Sequence, residues 1–504
     1  MKRILINENP WQTRIATTEG TLLQNIHFWA HTDTSLERSF FKGTVTAVLP
    51  GMQTAFVDIG QPRAGFLHIS EIDRELAIEK ISKHSAIDDG TPRQKPPRQR
   101  LDITKIFKEG DVILVQVSKE PVYEKGAKLT TCFTLPGRFI VLMPNIPRIG
   151  ISKKIESSEE RTRLRNIIQS YLPEGMGAII RTTCQDHTQE ELAKDVRFLV
   201  SAWHTIQEAF KVAQPQEKLY EDLPLSLQVV RDYLNEQTEA VITDSAKNLQ
   251  DILQFVRIVA PEYQHKIKLY QEKANIFDYY QIEKQIEQAL DKKVELKSGG
   301  SLIIESTEAM TVIDVNTGRF IGKSNLEETI LKTNLEAAQE VARQLRLRNI
   351  GGLIVIDFID MLAGNNKQKL FKFFEKMLRE LDKFQSVVLK ISEFGLVQMT
   401  RKRSGKTLQQ ELTENCPTCK GAGFIKSIQT QCYTILRAIK QRLAAHLGGT
   451  EITIQLHPTI FHFITNTQHK AIFDLEKIHR CKIVLASNNG LRISEYKIEK
   501  TAPI

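Results

Sequence analysis

Two stretches carry aspartate where an apolar residue would be expected. In SLIIESTEAMTVIDVNTGRF (Ser301 to Phe320) the alternation ends in Asp314-Val315-Asn316, and in GGLIVIDFIDM (Gly351 to Met361) an apolar run is interrupted by Asp357. A strand's period of two puts Asp314 and Asn316 on one face. An aspartate inside an apolar strand is costly to bury unless it is paired, neutralised or bound to a cation. Two such strands side by side bring the carboxylates together as a hard oxygen site suited to Mg²⁺ or Mn²⁺. A divalent ion there activates water and offsets charge building on a phosphoryl group. Asn316 is then placed to hold the attacked phosphate or its neighbour. The competing reading has one aspartate capping a turn and the other paired with Arg346 or Arg348.

A second candidate is the knuckle Cys416-Pro417-Thr418-Cys419, followed by glycines in ENCPTCKGAG. Tetrahedral zinc takes four ligands, and each Cys-x-x-Cys supplies two. The remaining cysteines, Cys132, Cys184, Cys432 and Cys481, form no second pair, and no nearby histidine pair completes the set. Three readings stand: a redox dithiol, a leftover with no role, or a site completed by a second copy of the chain. The redox reading needs a thioredoxin-like βαβ context, which the sequence does not suggest.

The elements that must position these groups read as follows. Ser301 to Asn316 is a two-stranded hairpin. TNLEAAQEVARQLRLRN predicts a helix with Asn334 as its N-cap, and Gly351 to Met361 predicts a buried strand. Upstream, RSFFKGTVTAVLPGMQTAFVDIGQPRAGFLHISEI (Arg38 to Ile72) alternates apolar and polar residues between tight turns, and Glu109 to Glu120 adds another strand, as in a small barrel. On it, Phe66 and His68 share a face, and Phe56 lies on the preceding strand. Such aromatics on an open barrel face stack single-stranded bases, with Lys119 and Lys125 following. The bland alternative has both phenylalanines filling the barrel core. Further on, Ser157 to Ser170 predicts a helix within a β-rich region, and Arg181-Thr182 at a strand end offers a guanidinium fork beside a hydroxyl, a pairing that suits phosphate. Residues 190 to 300 read as mostly helical, including Phe277 to Leu296.

At 504 residues, with 41% hydrophobic content, the chain is long enough for several cored domains. No apolar run approaches membrane-spanning length, the N-terminus turns polar too soon for a secretory signal, and the sparse cysteines argue against a disulfide framework. These features predict a soluble protein of a reducing compartment, the cytoplasm. The net charge of +9 suggests a polyanionic partner. Three clusters carry much of it: Thr91 to Arg100, Arg343 to Asn349 and Met399 to Lys406.

Taken together, IDVNTG, the block TNLEAAQEVARQLRLRNIGGLIVIDFIDM, the barrel, whose VDIG turn and GFLHISEI ending resemble an S1 domain, and the CPTC knuckle resemble the bacterial ribonuclease E/G family, in the same order from the first residues to about Gly423. The length resembles its shorter, ribonuclease G type. The resemblance implies a multidomain α+β fold: an RNase H-like subdomain (1–35 and 227–289), an S1 OB-fold barrel with a basic insertion (36–131), a β-rich 5′-sensor subdomain (132–226), a DNase I-like catalytic subdomain (290–411), a zinc-link (412–425) and a small C-terminal α/β domain (426–504). It implies an Mg²⁺-dependent endoribonuclease that cuts single-stranded, AU-rich RNA to 5′-phosphate and 3′-hydroxyl ends. Asp314 and Asp357 would hold the metal and Asn316 the phosphate. Phe56, Phe66, Lys119 and Lys125 would contact RNA. Gly137, Val141, Lys153, Arg181 and Thr182 would sense a 5′-monophosphate, although Lys153 and Gln385 stand where ribonuclease E has arginines, and lysine loses the bidentate fork. Cys416 and Cys419 would share one Zn²⁺ with a second chain, giving a homodimer or a dimer of dimers. The implied substrates are ribosomal RNA and tRNA precursors and mRNA. The rival reading is a non-catalytic RNA chaperone or ribosome-assembly factor.

Overall fold

The computed structural model describes residues 1–32, 35–73, 102–121, 126–185, 187–317, 326–382, 384–392, 395–403, 405–444 and 450–503, in two compact units, Met1–Leu408 and Gln409–Ile504. The basic stretch Thr91 to Arg100 and Lys125 lie outside these residues.

Four sheets build the first unit. Lys2–Glu8, Gln12–Glu19 and Leu22–Ala30 form an antiparallel meander, and its first strand pairs in parallel with Thr238–Thr243, which is parallel to Ile267–Leu269. Distant segments of the chain therefore share one sheet. Phe40–Leu49, Thr54–Asp58, Gly65–His68, Lys128–Thr130 and Val112–Lys119 close into a five-stranded barrel, because the first strand also pairs with the last. Its interior is mostly aliphatic, with Val45, Ala55, Val57, Leu67, Val115 and Leu129 buried together beside Phe41 and Phe107. A third, four-stranded sheet runs Ile149–Ile151, Gly177–Ile180, Ile140–Met143, Leu135–Pro136. Helices Ser158–Tyr171 and Gln189–Val212 contribute Leu164, Ile168, Val196 and Leu199 to its core. Ser157 caps the first helix through Glu160 N–H, and Thr188 and Glu191 close a capping box on the second.

The fourth sheet orders Lys293–Glu295, Ser301–Ser306, Met310–Asn316, Gly352–Asp357, Leu396–Arg401 and Ser386–Val388. All its pairings are antiparallel except Met310–Asn316 with Gly352–Asp357. A parallel pair needs a crossover, supplied here by helix Leu326–Leu347. That helix packs Ala337, Ala338, Val341, Ala342 and Leu345 against Leu302, Ile304, Ile313, Val315, Ile354 and Ile356. The alternate residues Val312, Leu353 and Asp357 are exposed on the other face.

Several expectations need correction. Asn334 is no N-cap: the helix begins at Leu326, and Asn334 is fully buried within it. Residues 190 to 300 are mostly helical as expected, but they also hold the short strands Lys218–Tyr220, Thr238–Thr243, Ile267–Leu269 and Lys293–Glu295. Phe277 to Leu296 is not one helix but the two short helices Ile276–Tyr279 and Ile282–Gln288, broken where Gln281 turns left-handed (φ 56°), and then the last of those strands. The cluster at 343–349 is largely spent on structure, whereas in 399–406 Arg401 is buried and Lys402, Arg403 and Lys406 are exposed. Arg343 bonds Glu340 and Leu23 O, Arg346 bonds Leu381 O, and Arg348 and Arg401 are buried. The guanidinium groups of Arg343, Arg346, Arg348 and Arg401 each satisfy a backbone carbonyl rather than facing solvent.

In the second unit, Thr450–Leu456 lies between parallel Lys482–Ser487 and antiparallel Tyr496–Pro503. Helices Pro458–Thr467 and His469–His479 connect the parallel pair, and Ile428–Ala444 shares their core. A βαβ unit is therefore present, contrary to expectation. Among the described residues no helix is long and apolar enough to cross a membrane.

Candidate active site and nucleic-acid interface

Asp314 and Asp357 are direct partners in the parallel register. Asp357 is the last residue of its strand, and it is exposed, not buried within an apolar run as expected. Partial desolvation at the sheet end, then the carboxylates of Asp314 and Asp360, push the Asp357 carboxyl above its ordinary value. Asn316 Nδ2 donates to Asp314 Oδ2 at 2.7 Å. Among the described residues neither aspartate pairs with Arg346 or Arg348, which are engaged with Leu381 O, Gln344 and Asp291 O. Among the described residues no cluster of three or more His, Cys, Asp or Glu is arranged to hold a metal ion.

Asn334, which the sequence read as an N-cap, and Glu327 and Asp360, which it did not flag, hold this end of the sheet. The side-chain amide of Asn334 donates to Ile359 O at 2.8 Å and accepts Ile359 N–H at 3.1 Å. Glu327 accepts Leu362 N–H and Ala363 N–H at 3.2 and 3.0 Å. The turn after Asp357 is thus bracketed by one helix. Asp360 projects beside Gly395, where a Cβ would fall 2.8 Å from its Oδ1 and where φ is +81°. A second aspartate in DFIDM was the available signal for it.

On the barrel, Phe56 and Phe66 are cross-strand partners, both half-buried, while Ala55, Val57 and Leu67 beside them fill the core. The alternation therefore sends both rings to the outer face. Phe66 is also in register with Lys128, which pairs with Glu71, and exposed Lys119 is in register with Lys128. The His68 ring accepts Ser70 N–H at 3.2 Å.

The remaining predicted phosphate-contacting residues gather at one end of the four-stranded sheet. Val141 pairs with Ile179, and Ser152 N–H donates to Ile180 O at 2.9 Å, which brings the loop of Lys153 beside Arg181. Arg181 Nη1 donates to Gly137 O at 2.7 Å and to Asp232 Oδ1 at 2.9 Å. Gly137 is tightly enclosed, since a Cβ there would lie 2.6 Å from Asp195 Oδ2. Asp195 in turn accepts the N–H groups of Arg138, Phe139 and Ile140, while burial pushes its carboxyl up. Lys154 donates to the carbonyls of Arg379 and Asp382 at 2.8 and 2.7 Å. It thereby fastens the Lys153 loop to the segment that carries Gln385, which is exposed.

In the second unit, Cys416 is exposed and Cys419 half-buried. The N–H groups of Cys419 and Thr418 hold the Cys416 thiol below its ordinary value. Lys420, Gly421 and Gly423 take left-handed φ values of 52°, 90° and 77°, curling the chain behind the two sulfurs.

Sequence comparison agrees with this organisation. Residues 134–404 match the ribonuclease E/G family, 39–131 the S1 RNA-binding domain, and 415–501 the thioredoxin-like domain of ribonuclease E/G. Ribonuclease G of Salmonella typhimurium is 41% identical over 94% of each chain. Ribonuclease G of Escherichia coli K12 is 41% identical over 86% of this chain and 87% of its own. Ribonuclease E of the same E. coli strain is 34% identical over 99% of this chain, which spans 46% of that longer protein. With more than half its length matched by the family and relatives of this similarity along nearly all of it, the chain belongs to the ribonuclease E/G family.

Proposed function

We propose that this endoribonuclease cleaves single-stranded, AU-rich RNA at Asp314 and Asp357, in a Mg²⁺-dependent reaction that leaves 5′-phosphate and 3′-hydroxyl ends, and that it acts in ribosomal RNA and tRNA processing and mRNA decay. The observation that carries this reading is the in-register pair of carboxylates at the edge of an exposed sheet face. The donor set fits a hard divalent cation: oxygen ligands, with the Asp357 carboxyl already raised by partial desolvation and then by its acidic neighbours, a crowding that a cation relieves. Mg²⁺ bound there supplies an activated water and charge neutralisation at the phosphate. Asp314 and Asp357 hold the cation. Asn316, oriented by its bond to Asp314, presents its amide to the attacked phosphate. Asn334 and Glu327 keep the turn after Asp357 from moving away. The test is a labelled AU-rich RNA with a 5′-monophosphate, incubated with the protein with and without Mg²⁺. Internal, Mg²⁺-dependent cuts with 5′-phosphate products are expected. Tight binding without cutting would point instead to an RNA chaperone.

Phe56 and Phe66 would stack substrate bases as the barrel closes over the strand, with Lys119 and Lys125 on the backbone. Base–aromatic stacking contributes about 1–3 kcal/mol per base, and both rings lie off the barrel core. Phe56→Ala and Phe66→Ala are therefore expected to weaken RNA binding by roughly that amount in a filter-binding titration, with the melting temperature nearly unchanged. Gly137, Val141, Lys153, Arg181 and Thr182 would receive a 5′-monophosphate and so stimulate cleavage.

Cys416 and Cys419 would supply half a structural zinc site shared between two chains, making a homodimer. The lowered thiol of Cys416 suits a thiolate ligand. Reactivity gives a direct check. In chelator-treated protein, iodoacetamide is expected to label Cys416 first and to spare Cys184, which burial pushes up to about 12. Adding Zn²⁺ should protect Cys416 and Cys419 together and raise the mass seen by light scattering. Labelling that ignores Zn²⁺ would remove the shared site.

A further inference from the structure

Arg181 is placed to read a phosphate, but its guanidinium is not free to swing. Both protons of its Nη1 are spent, on Gly137 O at 2.7 Å and on Asp232 Oδ1 at 2.9 Å. Among the described residues its Nε and Nη2 have no partner, and these form the edge that grips a phosphate in bidentate fashion. Asp232 comes from helix Leu225–Tyr233, outside the four-stranded sheet that carries Arg181.

Asp232 is itself held in place. Its Oδ1 also accepts Arg231 Nε at 3.2 Å. Arg231, with a side chain 4% exposed, donates Nη1 to Pro136 O at 3.0 Å and pairs with Asp222 at 3.5 Å. Asp222 pairs with Arg38 at 3.1 Å. The charges alternate through Arg181, Asp232, Arg231, Asp222 and Arg38, three cations against two anions, so one positive charge is left unmatched. Pro136 O and Gly137 O, at the wall of the pocket, are tied into the same network. A buried arginine such as Arg231, with its Nε and Nη1 both engaged, is costly to move, which makes it a stiff backing for the exposed end at Arg181, whose side chain is 23% exposed.

We propose that Asp232 is the positioning residue of the 5′-end sensor, fixing the Arg181 guanidinium so that its open edge meets a terminal monophosphate. This rests on the reading of Arg181 as the sensor. The opposite physical outcome is a carboxylate that competes with phosphate for Arg181, and the sign of one measurement separates the two.

The experiment compares cleavage of the same RNA bearing a 5′-monophosphate or a 5′-hydroxyl by the wild type, Arg181→Ala, Asp232→Ala, Asp232→Glu and the double alanine variant. For Asp232→Ala the proposal expects the KM of the monophosphorylated RNA to rise roughly tenfold, the size of one charge-assisted hydrogen bond, with 5′-hydroxyl cleavage unchanged. Asp232→Glu should restore part of the preference, and the double variant should prefer the monophosphate no less than Arg181→Ala does. Should alanine cost the fold, Asp232→Asn, which keeps size but loses charge, must still lower the preference. A higher preference in any Asp232 variant, or equal loss on both RNAs, overturns the proposal. If Arg181→Ala abolishes the preference and Asp232→Ala leaves it intact, the sensor reading survives and the positioning role falls. No preference in the wild type ends both.

Discussion

Asp314→Asn and Asp357→Asn should each abolish RNA cleavage while leaving the fold and RNA affinity intact. Removing a partner that merely orients a metal ligand costs about 10–100-fold, so loss of a ligand carboxylate should exceed that, and kcat should fall more than a hundredfold. The pair acts as a unit, so the double variant should be little worse than either single one. Asn keeps the size of Asp, and these side chains bear no core packing, Asp357 being exposed at its strand end. The raised carboxyl of Asp357 adds a sign that a structural role would not show. Partial desolvation, then crowding with Asp314 and Asp360, destabilises the charged form, so Asp357→Asn relieves both in metal-free protein. Its melting temperature should stay level or rise slightly without Mg²⁺, and the stabilisation that Mg²⁺ gives the wild type should vanish. Cleavage that persists in both variants would displace the active site from this sheet.

Much of this was written in local signals. The two aspartates stood out because each interrupts an apolar strand, and a parallel register was enough to bring them together. Alternation put Phe66 and His68 on one face but left open whether Phe56 and Phe66 filled the core, and only the closed barrel, with neither ring in its core cluster, sends both outward. What the sequence concealed depends on partners far along the chain. Asn334 has the residue type of an N-cap, but its amide is satisfied by Ile359, a contact that exists only once the crossover helix has docked. Asp232 reads as one more surface acid on a short helix until Arg181 is brought to it. The runs of arginine misled for a similar reason. A charge run usually marks a solvated face, whereas Arg343 and Arg346 here close carbonyls contributed by Leu23 and Leu381. At the C-terminus the signal was only half hidden: Thr450–Leu456, TEITIQL, alternates cleanly as a strand should, whereas its parallel partner Lys482–Ser487 carries a short apolar run that periodicity alone does not separate from buried helix.

The largest stability effect is expected at the residue that most contradicts the basic-patch reading. Arg401 lies in MTRKRSGK, yet its side chain is 0% exposed. Its Nε and Nη2 donate to the Asp382 carboxylate at 2.6 and 3.0 Å, and its Nη1 donates to Ile350 O at 2.7 Å. Asp382 also accepts Phe384 N–H at 3.1 Å, and its own carbonyl receives Lys154. One buried pair therefore joins the end of helix Gly364–Leu381, the strand Leu396–Arg401 and the entry to Gly352–Asp357. Asp382→Ala would leave a buried guanidinium unmatched, which typically costs about 3–5 kcal/mol. Urea unfolding should show the transition of the first unit displaced to lower concentration by that amount, with cleavage by the remaining folded protein nearly normal. Replacing both partners by apolar groups of similar volume, Asp382→Leu with Arg401→Met, should recover most of the loss, because the penalty lies in the orphaned charge rather than in the missing attraction. If Arg401→Met instead weakened RNA binding and left the unfolding midpoint where it was, Arg401 would belong to the RNA surface, and the pair would not be what seats the Asp357 strand.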